Sequence, residues 1–89
     1  MTTCLLVTVR GKVQGVFFRA STQEQARQGQ LSGYAKNLRN GDVEVLVCGE
    51  PNKVEDLLRW LHHGPPLAKV EHLSTEKQDT IVTGDFEIR

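Results

Sequence analysis

The sequence predicts an α+β fold of the ferredoxin-like kind, a two-layer sandwich in the order β-α-β-β-α-β with a short extra strand at the C-terminus. Three observations carry this expectation. Strand-like and helix-like patterns alternate along the chain, and a turn dipeptide joins the two central strand-like runs. The length of 89 residues leaves room for one domain, 1–89, and no second. In that topology the third strand lies between the first two and antiparallel to both, and two helices cover one sheet face.

Residues 4–10, Cys-Leu-Leu-Val-Thr-Val-Arg, are apolar and β-branched and read as a strand stopped by Gly11. Residues 12–18 form a glycine-flanked loop. From Arg19 to Gln28 there is no Gly or Pro, and Ala, Gln, Glu and Arg dominate, so a helix is expected with Gly29 as its stop. Ser21 and Glu24 have capping-box spacing, which places the helix start near that loop. Residues 34–38 and 43–48 read as strands joined across Asn40-Gly41, a dipeptide whose two members both tolerate positive φ. Pro51 and Asn52 open a second helix. Its Val54, Leu57, Leu58 and Leu61 follow the i, i+3, i+4, i+7 pattern of a single buried stripe, and Gly64-Pro65-Pro66 ends it. Residues 69–75 read as a further strand and residues 85–88 as the short last one.

Composition narrows the function. Eleven basic and eleven acidic side chains balance, which argues against a nonspecific nucleic-acid binder, although a local cationic pocket remains compatible. No apolar run approaches the roughly 18 residues of a membrane helix, and Met1 to Leu6 lack the pattern of a secretory signal. A cytoplasmic protein with no membrane partner is expected. There is no internal repeat, low-complexity tract or linker rich in Gly and Ser.

Two constellations carry chemistry. The first is Gly11-Lys12-Val13-Gln14-Gly15-Val16-Phe17-Phe18-Arg19, between a strand and a helix. Gly15 lets the backbone turn, so that the amides from Val16 to Arg19 can converge at the helix N-terminus. Free N–H groups and the positive end of the helix dipole make an anion site there. Arg19 adds a fixed charge and a planar donor fork suited to phosphate oxygens, and Phe18 is a packing residue that holds the loop. The loop matches neither the Walker A nor the dinucleotide pattern, and the same residues also read as a glycine turn before an exposed arginine. The second constellation is Gly33-Tyr34-Ala35-Lys36-Asn37-Leu38-Arg39-Asn40-Gly41-Asp42-Val43. Asn37 on a strand calls for explanation: it is either a solvent-facing polar residue near a turn or an amide that accepts from and donates to a water.

Gly11-x-Val13-Gln14-Gly15-Val16-x-Phe18-Arg19, followed by Gly33-Tyr34-Ala35-Lys36-Asn37-x-x-x-Gly41-x-Val43 and Gly49, resembles both signature segments of the acylphosphatases. The resemblance covers essentially the whole chain, down to Phe86-x-Ile88, with no departure at the signature positions. It implies hydrolysis of carboxyl phosphates to a carboxylate and inorganic phosphate, by a small metal-independent enzyme with no cofactor. It assigns phosphate binding to Arg19 and to a backbone cradle of Gly15, Val16, Phe17, Phe18 and Arg19. It assigns orientation of the attacking water to Asn37. The small-molecule acyl phosphate would be the one partner, and a chain this small is expected to be a monomer.

Other residues point elsewhere more weakly. His62, His63 and His72 show no metal-ligand spacing. Trp60 and Tyr34 are read as packing aromatics, and the aromatic pattern of an RNA-binding sheet face is missing. Cys4 begins the first strand and Cys48 ends the third, so antiparallel neighbours bring them together. Val7, Val9, Val43, Val45 and Val47 form the core faces by alternation, which puts both cysteines on the opposite, open face. A disulfide is geometrically open to them, while two free thiols are the default in a reducing cytosol. A non-enzymatic phosphate-ligand or partner-binding module on the same fold stands as the alternative to an enzyme.

Overall fold

Alternating valines set the frame of the sheet. In a computed structural model that describes residues 1–89, Thr3–Lys12 form β1 and Val43–Gly49 form β3, paired antiparallel with Val7 opposite Val45 and Val9 opposite Val43. Ser32–Asn37 form β2 on the far side of β3, also antiparallel, and Lys69–Gln78 form β4 on the far side of β1. Phe86–Ile88 form β5, parallel to β2, so the sheet order is β4-β1-β3-β2-β5. The helices are α1 (Phe18–Gln28), which links β1 to β2, and α2 (Pro51–Leu61), which links β3 to β4. Each helix thus joins two strands that are parallel but separated by a third. This is the split β-α-β arrangement expected from the element order.

One sheet face and one stripe of each helix make the core. Val7, Val9, Val43, Val45, Val47 and Phe86 are buried beneath Phe18 and Ala26 of α1 and Val54, Leu57 and Leu61 of α2, while Leu58 is partly buried at the edge. α1 is the less apolar helix, and its buried Thr22 is satisfied by donating to the Phe18 carbonyl at 2.7 Å. The Phe18 ring packs tilted on Trp60 at 5.9 Å between centroids, so the residue that opens α1 is anchored on the helix beside it. The outer strand β4 carries Lys, Glu and His along an exposed edge, which discourages pairing with another chain.

Several local expectations need correction. Gly11 does not stop β1; the strand runs on to Lys12 through a bulge between Arg10 and Gly11, where the Lys69 carbonyl passes too close for a Cβ. β4 extends to Gln78, three residues beyond its expected end. Ser21 and Glu24 form no capping box: the helix begins earlier, with Phe17 at the N-cap and no side-chain cap, and Ser21 lies inside it. At the other end the left-handed residue is Gln30 (φ 56°) rather than Gly29, with the Leu31 amide bonded to the Ala26 carbonyl at 2.9 Å. The β2–β3 connection is longer than a two-residue turn. Leu38 and Asp42 close it, Gly41 alone takes positive φ, and Asn40 Oδ1 accepts the Asp42 amide at 3.0 Å. Asn40 therefore serves as a turn acceptor, and a three-residue loop with a glycine bulge results.

Cys4 and Cys48 lie directly opposite on β1 and β3, with Cα atoms 4.1 Å apart and their Sγ atoms bonded. They occupy the face away from the helices, as the alternation requires, yet both are buried, each covering the other. The bond spans 44 residues, and closing a loop of that length stabilises by about 4 kcal/mol in the chain-entropy picture. Reduction is expected to lower the unfolding free energy by about 2–4 kcal/mol in urea titrations, with two thiols detectable in the unfolded protein only after reduction. Equal midpoints for the oxidised and reduced protein would contradict this.

Candidate active site

β1 ends at Lys12 and α1 begins at Phe18, so five residues must turn the chain from sheet to helix. They do so with Gly15 at φ 73° and Phe17 at φ 62°, on either side of Val16. Nothing crowds Gly15, so glycine is needed there for its backbone angle alone. Alternation in the sign of φ turns successive N–H groups toward one point. The amides of residues 15–20 donate to no acceptor within the protein; the first bonded amide is that of Ser21, to the Phe17 carbonyl at 3.0 Å. A row of free donors thus opens at the positive end of α1.

Gly15, Phe17, Phe18, Arg19 and Asn37 line a cleft of about 350 Å³, while Val16 of the expected cradle is buried and is not part of its wall. Arg19 and Asn37, distant in sequence, therefore meet in one cavity. Arg19 Nη1 donates to the main-chain oxygen of Arg89 at 2.6 Å, which fixes the guanidinium at the cleft wall. Asn37 is the last residue of β2, on the helix-facing side with Ala35. Its Oδ1 is buried and has no hydrogen-bond partner. An unsatisfied buried acceptor costs about 1–3 kcal/mol, so the fold keeps this oxygen unpaired at a price.

Two supports of the site were not anticipated. Gln14 Nε2 donates to the carbonyls of Leu38 at 2.8 Å and Asp42 at 2.9 Å, which ties the loop before α1 to the hairpin that carries Asn37. The second support is β5. The Arg89 amide bonds the Ala35 carbonyl at 2.8 Å, and its guanidinium lies over the Tyr34 ring at 4.3 Å, so the oxygen that holds Arg19 is itself held. Gln23 anchors the same strand at the Phe86 carbonyl, and Arg27 pairs with Asp85 just ahead of it at 2.7 Å. The Arg27 hydrogen bond, helped by the Phe86 amide, holds the Asp85 carboxyl below its ordinary range. That support is present at neutral pH and is lost as pH falls through the lowered value. Gln14 stands in the first signature segment and could have been singled out as a polar loop residue. The role of Arg89 has no signal in the sequence.

With this geometry in place, comparison with known proteins is decisive. The Acylphosphatase family model matches residues 5–88. The chain belongs to the acylphosphatase family. It is 52% identical over 81 residues to the acylphosphatase of Halorhodospira halophila, covering 91% of this chain and 88% of that one. A solved acylphosphatase structure from Coxiella burnetii superposes with a TM-score of 0.94 at 46% identity, covering 99% of this chain and 93% of the other. The Bacillus subtilis acylphosphatase structure gives the same TM-score at 31% identity, over 100% and 99% of the two chains. The α+β sandwich is therefore that of acylphosphatases. No helix is long and apolar enough to cross a membrane.

If Gln14 sets the spacing between the two halves of this acylphosphatase site, Gln14→Leu should lower kcat by about tenfold to a hundredfold, as small misplacements of reacting groups do. The accompanying loss of stability should stay near 1–2 kcal/mol, the worth of the lost bonds. Steady-state rates read beside urea midpoints check this. A stability loss with kcat intact would make Gln14 a brace and nothing more.

Proposed function

We propose that the cleft binds the phosphoryl group of an acyl phosphate and directs a water molecule at it, giving a carboxylate and inorganic phosphate. The observation that carries this reading is one cleft lined by unbonded main-chain donors, by Arg19 and by Asn37, whose amide oxygen has no hydrogen-bond partner in the fold. The donors suit the phosphoryl oxygens. The acceptor suits a water, which an anion alone would not supply. A non-enzymatic phosphate-binding module would have use for the donors and Arg19 but none for the orphaned Asn37 oxygen.

Each residue then has a task. The amides of Gly15, Val16, Phe17, Phe18 and Arg19, with the Arg19 guanidinium, hold the equatorial oxygens and stabilise the charge they carry in the transition state. Asn37 Oδ1 accepts a hydrogen bond from the water and orients its lone pair toward phosphorus. The new P–O bond forms as the bond to the acyl oxygen breaks. The carboxylate departs with the bonding electrons, and both protons of the water end on dihydrogen phosphate. A carboxylate is a weak base and leaves without a proton donor. Side chains that hold no proton to give, Arg19 and Asn37, are therefore sufficient for the work assigned to them. The enzyme is read as a cytoplasmic monomer, a compartment in which Cys4 and Cys48 would stand as thiols.

Benzoyl phosphate hydrolysis with and without a chelator tests the whole reading; no turnover in either would leave the binding-module alternative. Arg19→Ala is expected to lose more than about a thousandfold in kcat/KM, and Arg19→Lys to remain impaired because a point charge replaces the planar fork. Asn37→Ala should lower kcat about a hundredfold while inorganic phosphate still inhibits within about threefold of the parent protein. Near-parent turnover in either alanine variant would remove that residue from the mechanism.

A further inference from the structure

Phe17 presents two costs at once. It is a non-glycine residue at φ 62°, and its side chain is 75% exposed. Backbone strain of this kind persists where the surroundings or a function demand it. The fold has no need of the ring, since the residue beside it, Phe18, fills the core. Leu67, Ile81 and Met1 are other large exposed apolar residues, and none of them lines the cleft. Ile88 alone shares the cleft with Phe17; it is 43% exposed at the end of β5. Val13 and Ala20 also line the cleft, and Arg19 is the only charged residue in its wall.

We propose that Phe17 and Ile88 form an acyl-binding subsite, which makes uncharged, apolar and above all aromatic acyl groups the favoured substrates. The inference rests on the acyl phosphate reading of the cleft. The Phe17 amide belongs to the cradle, so a phosphoryl group held there lies within a residue's reach of the Phe17 ring. The acyl oxygen must leave the cleft on its open side, away from the donors at the start of α1, and the substituent it carries then runs along the rim. Apolar area on both surfaces leaves water, and an aromatic acyl group can stack on the ring. A methyl group, as in acetyl phosphate, covers too little of the ring to gain from it. Burial of some tens of Å² corresponds to a preference of about fivefold to tenfold.

The test compares two substrates within each protein. Benzoyl and acetyl phosphate present the same phosphoryl group to the same cradle, so any disturbance of the backbone by a substitution cancels in the ratio of their kcat/KM values. Phe17→Gly, which accepts the positive φ, is expected to reduce the benzoyl-to-acetyl ratio by about fivefold to tenfold, Phe17→Leu by less, and Ile88→Ser by about twofold to threefold. A parallel arm measures calorimetric binding of two non-hydrolysable phosphonates, phenacylphosphonate and acetonylphosphonate. The aromatic one should bind the parent protein more tightly and lose that advantage in Phe17→Gly. Unchanged ratios in the Phe17 and Ile88 variants, in either arm, overturn the subsite. Absence of turnover with the phosphonate preference intact overturns the hydrolytic reading and leaves the subsite standing.

Discussion

The site exists because β1 and β2 are parallel yet never touch. β3 runs between them, so their C-terminal ends stand two strand spacings apart, roughly 10 Å. One end continues into the loop that starts α1, the other ends at Asn37. A phosphoryl group with an aligned water is about as wide as that gap allows. Were the strands neighbours, ladder bonds would close the space; were they further apart, one loop could not reach across. Gln14 spans the gap with its side chain, and its amide is long enough to seize the hairpin carbonyls without filling the cleft. The split crossover is thus the constraint on which donors, guanidinium and carboxamide all depend.

Electrostatics follow from the same arrangement. A helix must begin somewhere, and its first amides have no carbonyl to bond. Most helices hide this with a side-chain cap, but Phe17 has none to give, and the preceding turn leaves further amides free. The charge this favours is fixed in direction and needs no proton, and Arg19 adds to it from the second position of α1. The guanidinium is held by the main-chain oxygen of Arg89, and no Asp or Glu side chain pairs with it. The two acids around β5, Asp85 and Glu87, pair with Arg27 and Arg89. Pairing between acidic and basic side chains thus anchors β5, while Arg19 is left without an acidic side-chain partner.

What the sequence made legible divides along contact range. Valine alternation in β1 and β3, the Val54–Leu57–Leu61 stripe and the terminators of α2 are local patterns, and each appears in the structure where pattern put it. The two signature segments marked the cleft together, through their resemblance to a known family; taken singly, Arg19 also read as an exposed residue after a glycine turn and Asn37 as a polar residue near a turn. Local signals failed where a stronger competitor was present. Ser21 lost its capping role because the turn at Gly15 starts the helix before it, and Asn40 gave up positive φ to accept the Asp42 amide. The bonds from Gln14 to Leu38 and from Arg19 to Arg89 join residues 24 and 70 positions apart, and no window of sequence contains both partners.

Stability and chemistry are also kept at opposite ends of β1. The disulfide sits at its start and the donor loop follows its end, with Val7 and Val9 between. The eight steps from Cys4 to Lys12 span roughly 25 Å of strand, far beyond the reach of a local distortion in a well-packed sheet. The bridge restrains the unfolded chain, whereas the strain at Gly15 and Phe17 and the orphaned Asn37 oxygen burden the folded one. A small domain has few ways to carry such burdens, since its core is limited by its size. Wherever the bond forms, cross-linking β1 to β3 at the far end supplies stabilisation away from the cleft, whose loop is held instead by the bonds of Gln14 to the hairpin.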